Sequence, residues 1–477
     1  MKDTILLSAY LTGEEHRSKR DYFNGLEAHL NTAGFELLRV DLVPGKSSKL
    51  HTTISLPSFI SQAHRIFGDG YINPDSLSIE LAQAASLEAE IRHVSVSRAA
   101  LKLVLYRAFM RNIFKRSKVR LCILWHQFNA FHMALADLCR QEGIPVLYVE
   151  YGMLPGTIVF DEEGQMALSW VARNTESYRG LSVLPEHIEQ AKRLTTRMRE
   201  QRRSRKPQDS DMDIASIVQE QRRAGKKILF YAGEHEYHAG ILPRSLSYAP
   251  VHSPYYSGTL DALNSLAILA ESNDWHILFK PHPLHSGQGA PAIPILHDRI
   301  TAVPGANVFD CIEHSDVVVT LVSQVSYLAL IHAKPCVLLG RNPLSGKQCV
   351  YEPEDREDLE QALSDALSKG RTTEQIDAWH EHVARICTHY LFASDEDMRK
   401  PFGRGHDDAA RFIIGHARTS AKSRPGQTTE DAFFGPDRPW IRKPRRLVLA
   451  YSILFALEPP MRRLFQLLRI RQPRQDR

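Results

Sequence analysis

The chain has few of the features that settle a protein's class at a glance. Its six cysteines in 477 residues form no CxxC pair, which argues against a zinc ribbon or a dithiol redox motif and for reduced, buried thiols. No apolar run reaches the ~18 residues of a membrane span. The start, Met1-Lys2-Asp3-Thr4-Ile5-Leu6-Leu7, lacks the long apolar region of a secretory signal. A cytoplasmic location is therefore expected. HExxH and similar ligand spacings are absent, so neither a metal nor a bound cofactor is expected.

A large charge excess is missing too. Lys and Arg number 60 against 55 Asp and Glu, a net charge of +5. The excess is uneven. Residues 438–477 hold eleven Lys/Arg against Glu458 and Asp476, a local charge of +9 that leaves −4 for the rest. The body is thus mildly acidic, and no nucleic-acid partner is expected. The hydrophobic share of 43% and charged share of 24% are those of a globular protein. A length of 477 residues exceeds one ordinary core, and roughly two to three domains are expected.

Short apolar runs alternate with helical patterns. Strands are expected over 4–9, 35–40, 119–125 and 144–149, with helices over 21–33 and 129–142 between them and a helical stretch over 55–118. This is the β-loop-α-β rhythm of a parallel, doubly wound sheet. A charged helix over 187–205 and a period-free polar stretch around 204–213 follow. Further strands are expected over 227–232, 275–279, 316–321 and 334–339, with helices over 260–272, 307–314 and up to Ala333. Helices close the pattern over 356–368, 374–390 and 406–417. The domains read as 1–203, a linker over 204–225, a second domain over 226–418 and a basic tail over 419–477.

In open α/β sheets, ligands bind outside the carboxyl ends of the strands, so the polar residues there are the candidates. The 144–149 run empties into Glu150-Tyr151-Gly152, and Asp161-Glu162-Glu163-Gly164 follows. Glu150 reads either as a carboxylate aimed into a cleft or as a loop acid. Asp161 reads either as a cleft acid or as part of a turn. The 227–232 strand delivers Gly233-Glu234-His235-Glu236-Tyr237-His238. Glu234 or Glu236 could do acid/base or nucleophilic work there, with His235 and His238 lining the cleft.

The 275–279 strand ends in Lys280-Pro281-His282-Pro283. Two prolines restrict the backbone around His282. An imidazole and the Lys280 ammonium, expected one pleat away on the same side, suit a phosphate or diphosphate leaving group. After the 316–321 strand, Val322-Ser323-Gln324-Val325-Ser326 opens a helix whose free N–H groups can hold an anion. Plain capping by Ser323 or Ser326 fits as well.

The order Trp125…Asn129, Val149-Glu150-Tyr151-Gly152, Asp161…Gly164, Lys280-Pro281-His282-Pro283 and Ser315-Asp316…Ser323…Ala329-Leu330…Lys334-Pro335…Gly340 resembles the bacterial capsule polysaccharide biosynthesis family. That family includes the β-Kdo transferases. The resemblance covers residues 119–340. It implies a GT-B fold: α/β, with two Rossmann-like doubly wound domains facing across a cleft, and C-terminal helices. It implies His282 on the donor phosphate, with Ser323 and neighbouring Gln324 and Ser326 beside it. It also implies a catalytic acid at Glu236 and a cleft glutamate at Glu150, with Asp161 a third candidate and Asn129 in the cleft. Leu328-Ala329-Leu330 stands where the family carries Glu-Ala-Leu, which leaves the donor open, with CMP-Kdo among the candidates.

The tail carries Arg442-Lys443-Pro444-Arg445-Arg446, an eleven-residue apolar run, and a basic amphipathic stretch from Met461 to Arg471. Such a segment can lie on an anionic membrane surface, or it can dock as a C-terminal helix. The resulting expectation is a metal-independent glycosyltransferase at the inner membrane, moving sugar from a nucleotide-sugar to a glycan or lipid-linked glycan. Two rival expectations are a polyol-phosphate transferase with a CDP-linked donor and a non-catalytic scaffold of an export assembly.

Overall fold

The computed structural model describes residues 2–44, 53–57, 60, 75, 77–205, 212–282 and 297–419. The expected tail beyond Thr419, residues 206–211 of the expected linker, Pro283 and most of 58–76 lie outside the described residues. Helices of seven residues or more are numbered below; shorter turns are not.

The first sheet is built from β1 (Asp3–Ala9), β2 (Phe35–Pro44), β3 (Thr53–Leu56), β4 (Lys118–Trp125), β5 (Val146–Tyr151) and β6 (Thr157–Asp161). Its helices are α1 (Arg17–Thr32), α2 (Ile79–Arg92), α3 (Val96–Arg116), α4 (Ala130–Gln141) and α5 (Pro185–Glu200). The second half opens with α6 (Ile214–Arg223) and holds β7 (Lys227–Ala232), α7 (Thr259–Ser272), β8 (Trp275–Lys280), β9 (Ile300–Ala302), α8 (Val308–His314), β10 (Val317–Thr320), α9 (Val325–Ile331) and β11 (Cys336–Leu338). It ends with α10 (Leu359–Lys369), α11 (Thr373–His389), β12 (Leu391–Ala393), α12 (Glu396–Phe402) and α13 (His406–Thr419).

The strand order β3-β2-β1-β4-β5-β6 in the first sheet and β9-β8-β7-β10-β11 in the second is the doubly wound order in each case. β1 to β5 pair in parallel, and so do all strands of the second sheet. Central strands of such sheets are covered on both faces and carry continuous apolar runs. β10, with Val317, Val318, Val319 and Thr320 all fully buried, shows this most plainly. The protein therefore has two Rossmann-like sheets, the GT-B architecture.

Two boundaries differ from expectation. The stretch expected as a linker contains α6, whose Ile214 and Val218 are buried against Ile228 and Ile312 of the second half. Two apolar residues one turn apart explain it: the polar composition around them masks a short amphipathic stripe. β6 pairs antiparallel with β5, and β12 pairs antiparallel with β6. The chain thus returns to the first sheet at its end. Ala409, Ala410, Ile413 and Ile414 of α13 pack with Ile5, Phe23 and Leu26, so residues 391–419 complete the first sheet rather than the second.

The halves also share an apolar cluster. Met153, Leu154, Tyr178, Leu194 and Met198 pack with Phe230, Leu278, Tyr327 and Trp379. Buried His382 sits between them, bonded to Tyr178 Oη at 2.7 Å and Tyr327 Oη at 3.0 Å. A large, apolar interface of this kind fixes the two sheets relative to each other. All six cysteines are buried and unpaired. Among the described residues, no helix is long and apolar enough to cross a membrane.

Candidate functional site

The strand order reverses between β1 and β4 in one sheet and between β7 and β10 in the other. These switch points open at the carboxyl ends of the strands. In the first sheet β1 leads into Tyr10 and β4 into His126, while β5 carries Glu150. Lys19 of α1 is only 3% exposed. Its Nζ donates to the Tyr10 carbonyl at 3.0 Å and lies 4.3 Å from the Trp125 ring centroid. Burial lowers its pKa to about 8, opposed by the charges of Asp41, Glu150 and Glu15. Burial raises the Glu150 carboxyl to about 6, opposed by Arg205 and Lys19. An aromatic wall, Trp125 edge-on to Tyr151 at 4.9 Å, stands beside it.

At the second switch point Glu234 is 4% exposed, and its Oε1 accepts from the Val322 N–H at 3.0 Å. Burial raises its pKa to about 8, and the backbone N–H groups of Val322, Ser323 and Leu321 pull the other way. The anion-binding backbone expected at Ser323 is therefore already facing a carboxyl group of the chain itself.

The two switch points meet through imidazoles. His126 of the first sheet has its ring 4.7 Å from that of His238. His238 lies 3.9 Å from His235, and His235 packs edge-on to His282 at 5.4 Å, all between ring centroids. His126 has φ 76°, a left-handed conformation that costs a non-glycine residue on the order of 1 kcal/mol or more. Its N–H donates to the Val149 carbonyl, and its own carbonyl is bonded to His132 Nδ1 at 2.8 Å. Burial, then the neighbouring His238, His132 and His235, hold the His126 pKa well below the usual histidine range. Gly240, with φ 71°, lets the second-half loop approach so closely that a Cβ there would sit 3.0 Å from the Phe128 ring. Tyr237 Oη donates to Glu90 Oε1 of α2 at 3.0 Å and ties the same loop to the first half.

A pocket of about 430 Å³ of empty space lies between the sheets. Glu150, Tyr151 and Gln165 line it from one side, and Val322, Gln324 and Asn342 from the other. Asn342 Nδ2 donates to the Val322 carbonyl and to Ser326 Oγ, both at 3.3 Å. Among the described residues, no group of three His, Cys, Asp or Glu is arranged to hold a metal ion.

Several expected residues are committed to the frame. Asp161 is 2% exposed, and its carboxylate accepts from the N–H groups of Glu163 (2.7 Å), Gly164 (2.9 Å) and Trp170 (2.8 Å) and from Tyr390 Oη. Four donors on one buried carboxylate make a structural staple, not a cleft acid. Glu236 Oε1 accepts from the Thr259 N–H at 2.5 Å, at the start of α7. It stands in for the side-chain cap that Gly258 cannot supply.

Ser323 Oγ accepts from the Val325 N–H at 3.3 Å, and fully buried Ser326 donates to the Ser323 carbonyl at 2.7 Å. Both serve the turn into α9. Asn129 caps α4 by accepting from the N–H groups of Phe131 and His132. Lys280 Nζ, expected beside His282, donates to the Pro304 carbonyl at 3.3 Å.

The sequence reading passed over Lys19, His126 and Asn342. His126 had a visible signal: it is the polar residue that ends an apolar run, the same criterion that selected Glu150 and Glu234. Lys19 lies in a charged helix start among other cations, where nothing distinguishes the one that folds inward.

No family model matches the chain, and no curated protein matches it. Among solved structures it is similar to two KpsC structures from Thermosulfurimonas dismutans. One is the β-Kdo 2,7 transferase, at 14% identity over 82% of this chain and 92% of that one, with a TM-score of 0.40. The other is the β-Kdo 2,4 transferase, at 16% identity over 64% and 93%, with a TM-score of 0.39. It is also similar to the UDP-N-acetylglucosamine 2-epimerase of Rickettsia bellii, at 11% identity over 89% and 99%, with a TM-score of 0.37. The fold assignment rests on the strand order of the two sheets and not on these likenesses.

Proposed function

We propose that the chain transfers a sugar from a nucleotide-activated donor to an acceptor hydroxyl bound between its two sheets. The observation that carries this reading is the pocket between the two sheets, lined by Glu150 and Gln165 from the first and by Val322 and Gln324 from the switch point of the second. A reaction between two bound partners needs such a site: each sheet holds one partner, and the chemistry falls between them.

Glu150 is the base in this proposal. It is partly buried, with a pKa raised to about 6, so it is ionised at neutral pH and basic enough to take a proton from a hydroxyl. Tyr151 and Trp125 offer an aromatic wall for a sugar ring. His282 is the donor-phosphate ligand in this proposal. Glu236 and Asp161, committed to backbone donors, have no chemical step. Protein donors suffice to stabilise a departing phosphate. The donor is a nucleotide-sugar, with CMP-Kdo among the candidates. The acceptor is a glycan or lipid-linked glycan of a capsule or other surface polysaccharide, reached from the inner face of the membrane through the basic tail.

The test is a thermal-shift screen with CMP-, CDP-, UDP- and GDP-linked sugars and CDP-glycerol, followed by product analysis with the stabilising donor. Sugar transfer that disappears in Glu150→Gln supports the reading. Stabilisation by CDP-glycerol alone, with transfer of glycerol phosphate, replaces it with the polyol-phosphate reaction. Full polysaccharide production in cells carrying Glu150→Gln and His282→Ala would leave a scaffold.

A further inference from the structure

We propose that His126, His235, His238 and His282 form one cross-cleft anion site, which takes up a proton as it binds a phosphate or diphosphate and so clamps that ligand between the two sheets. The proposal rests on the nucleotide-sugar reading and adds to it the first sheet's contribution to donor binding.

The geometry is the argument. Three loops from two sheets bring four imidazoles into an unbroken chain, with centroid separations of 4.7, 3.9 and 5.4 Å from His126 to His282. Only His126 belongs to the first sheet. Its backbone is held at φ 76° and is fixed at both ends, by the Val149 carbonyl and by His132. Strain that the surroundings over-determine is characteristic of functional positions. Each neutral imidazole can accept one proton, and an imidazolium is a charge-assisted donor to phosphate oxygen.

A charge on His126 or His238 is opposed first by burial and then by neighbouring imidazoles. An anion reverses that balance: a proton moves from solvent to an imidazole nitrogen, and the new cation pairs with the ligand. Among the described residues, charged groups near the cluster have partners of their own. Glu234 accepts from Val322, Glu236 from Thr259 and Glu90 from Tyr237, while Lys280 donates to Pro304. His132 of α4 is bonded to the His126 carbonyl, and Lys19 opposes a charge on it.

The test is titration calorimetry on the full chain with inorganic pyrophosphate and with CMP, CDP, UDP and GDP. It is run at pH 6.5 and 8 in pairs of buffers that differ in ionisation enthalpy. We expect a buffer-dependent heat that corresponds to proton uptake, and binding roughly tenfold weaker at pH 8 than at 6.5, the size of one lost charge-assisted pair. His126→Ala should weaken pyrophosphate binding by a similar factor. His126→Gln, which keeps a hydrogen-bonding side chain without a titrating one, should reduce the proton uptake, with circular dichroism confirming the fold of both. Nucleotide binding with no buffer-dependent heat and no response to His126→Ala overturns the clamp while leaving the transferase reading intact. Pyrophosphate binding with proton uptake, but with no nucleotide bound and no sugar transferred, keeps the clamp and overturns the reading. No binding of either ligand overturns both.

Discussion

The carboxyl group of Glu234 accepts the Val322 N–H at 3.0 Å, joining the end of β7 to the end of β10 across the switch point of the second sheet. This is where backbone donors in an open α/β sheet are free to meet a ligand's anion. Here they meet an internal acid first. Burial raises the Glu234 pKa to about 8, so at neutral pH the group is mostly a neutral carboxylic acid that accepts from backbone and carries a proton.

The sign of the resulting stability change is fixed. The folded-state pKa lies above the unfolded value, so the folded chain holds the extra proton between about pH 4.5 and 8. Stability therefore falls as pH rises through that window. Glu234→Gln keeps an acceptor for Val322 and removes the titration. It should raise the unfolding midpoint, by on the order of 3 kcal/mol at pH 7 as an upper bound and by little at pH 4.5. Denaturant unfolding at the two pH values checks this. An equal change at both would show that Glu234 is ionised in the native protein.

Glu150 supplies the second prediction. If it is the base, it must be ionised, and the rate should fall on the acid side of about pH 6, where burial has placed its pKa. Glu150→Gln should lose roughly 10²- to 10⁴-fold in kcat, the usual worth of a general base. By the linkage that applies to Glu234, the variant should also be more stable at pH 7, by about 2 kcal/mol as an upper bound. A kcat–pH profile that keeps its acid limb in Glu150→Gln would assign that limb to another group.

Much of the frame was legible in the sequence because parallel strands buried on both faces write themselves as apolar runs. The runs ending at Trp125, Ala232 and Phe279 all became strands of the two sheets. The edges were less legible. β12 spans Leu391–Ala393 and pairs with β6 more than two hundred residues earlier, and no local pattern reports so distant a partner. Side-chain fates were harder still. Glu234 and Glu236 sit two residues apart in one loop, yet one lies under the Val322 N–H and the other on the Thr259 N–H. Both bonds follow from where the loop folds, which spacing does not encode. Asp161 could be read as a cleft acid or a turn; the N–H groups of Glu163 and Gly164 make it a turn, and Tyr390, 229 residues later, completes its bonding.

Asp161 leads to a prediction that separates frame from chemistry. Asp161→Asn leaves one acceptor oxygen and turns an amide N–H₂ toward groups that are themselves donors. The variant should lose about 2–4 kcal/mol of stability, the range for disturbing a buried, multiply bonded charge. Below its lowered midpoint, kcat should stay within a few-fold of the parent. A variant of normal stability and abolished activity would return Asp161 to the catalytic machinery.

Acid sensitivity provides the last prediction, and it turns on His132. This residue is fully buried in α4, its Nδ1 is bonded to the His126 carbonyl at 2.8 Å, and burial lowers its pKa to about 4. Its folded pKa lies below the unfolded value of about 6.5. The unfolded chain therefore binds the extra proton between those two values, and stability is lost as pH falls through the window. At pH 5 this one histidine should cost about 2 kcal/mol relative to pH 7.5. His132→Gln, which does not titrate, should shrink the stability difference between pH 7.5 and 5 by that amount, even if it lowers the absolute value at both. Paired denaturant melts measure it. The same carbonyl bond holds His126 in its strained conformation, so His132→Gln should also weaken pyrophosphate binding at pH 6.5 without touching the ligand. If binding is unchanged while the pH dependence of stability is flattened, His132 supports the fold alone and His126 is held in place by β4.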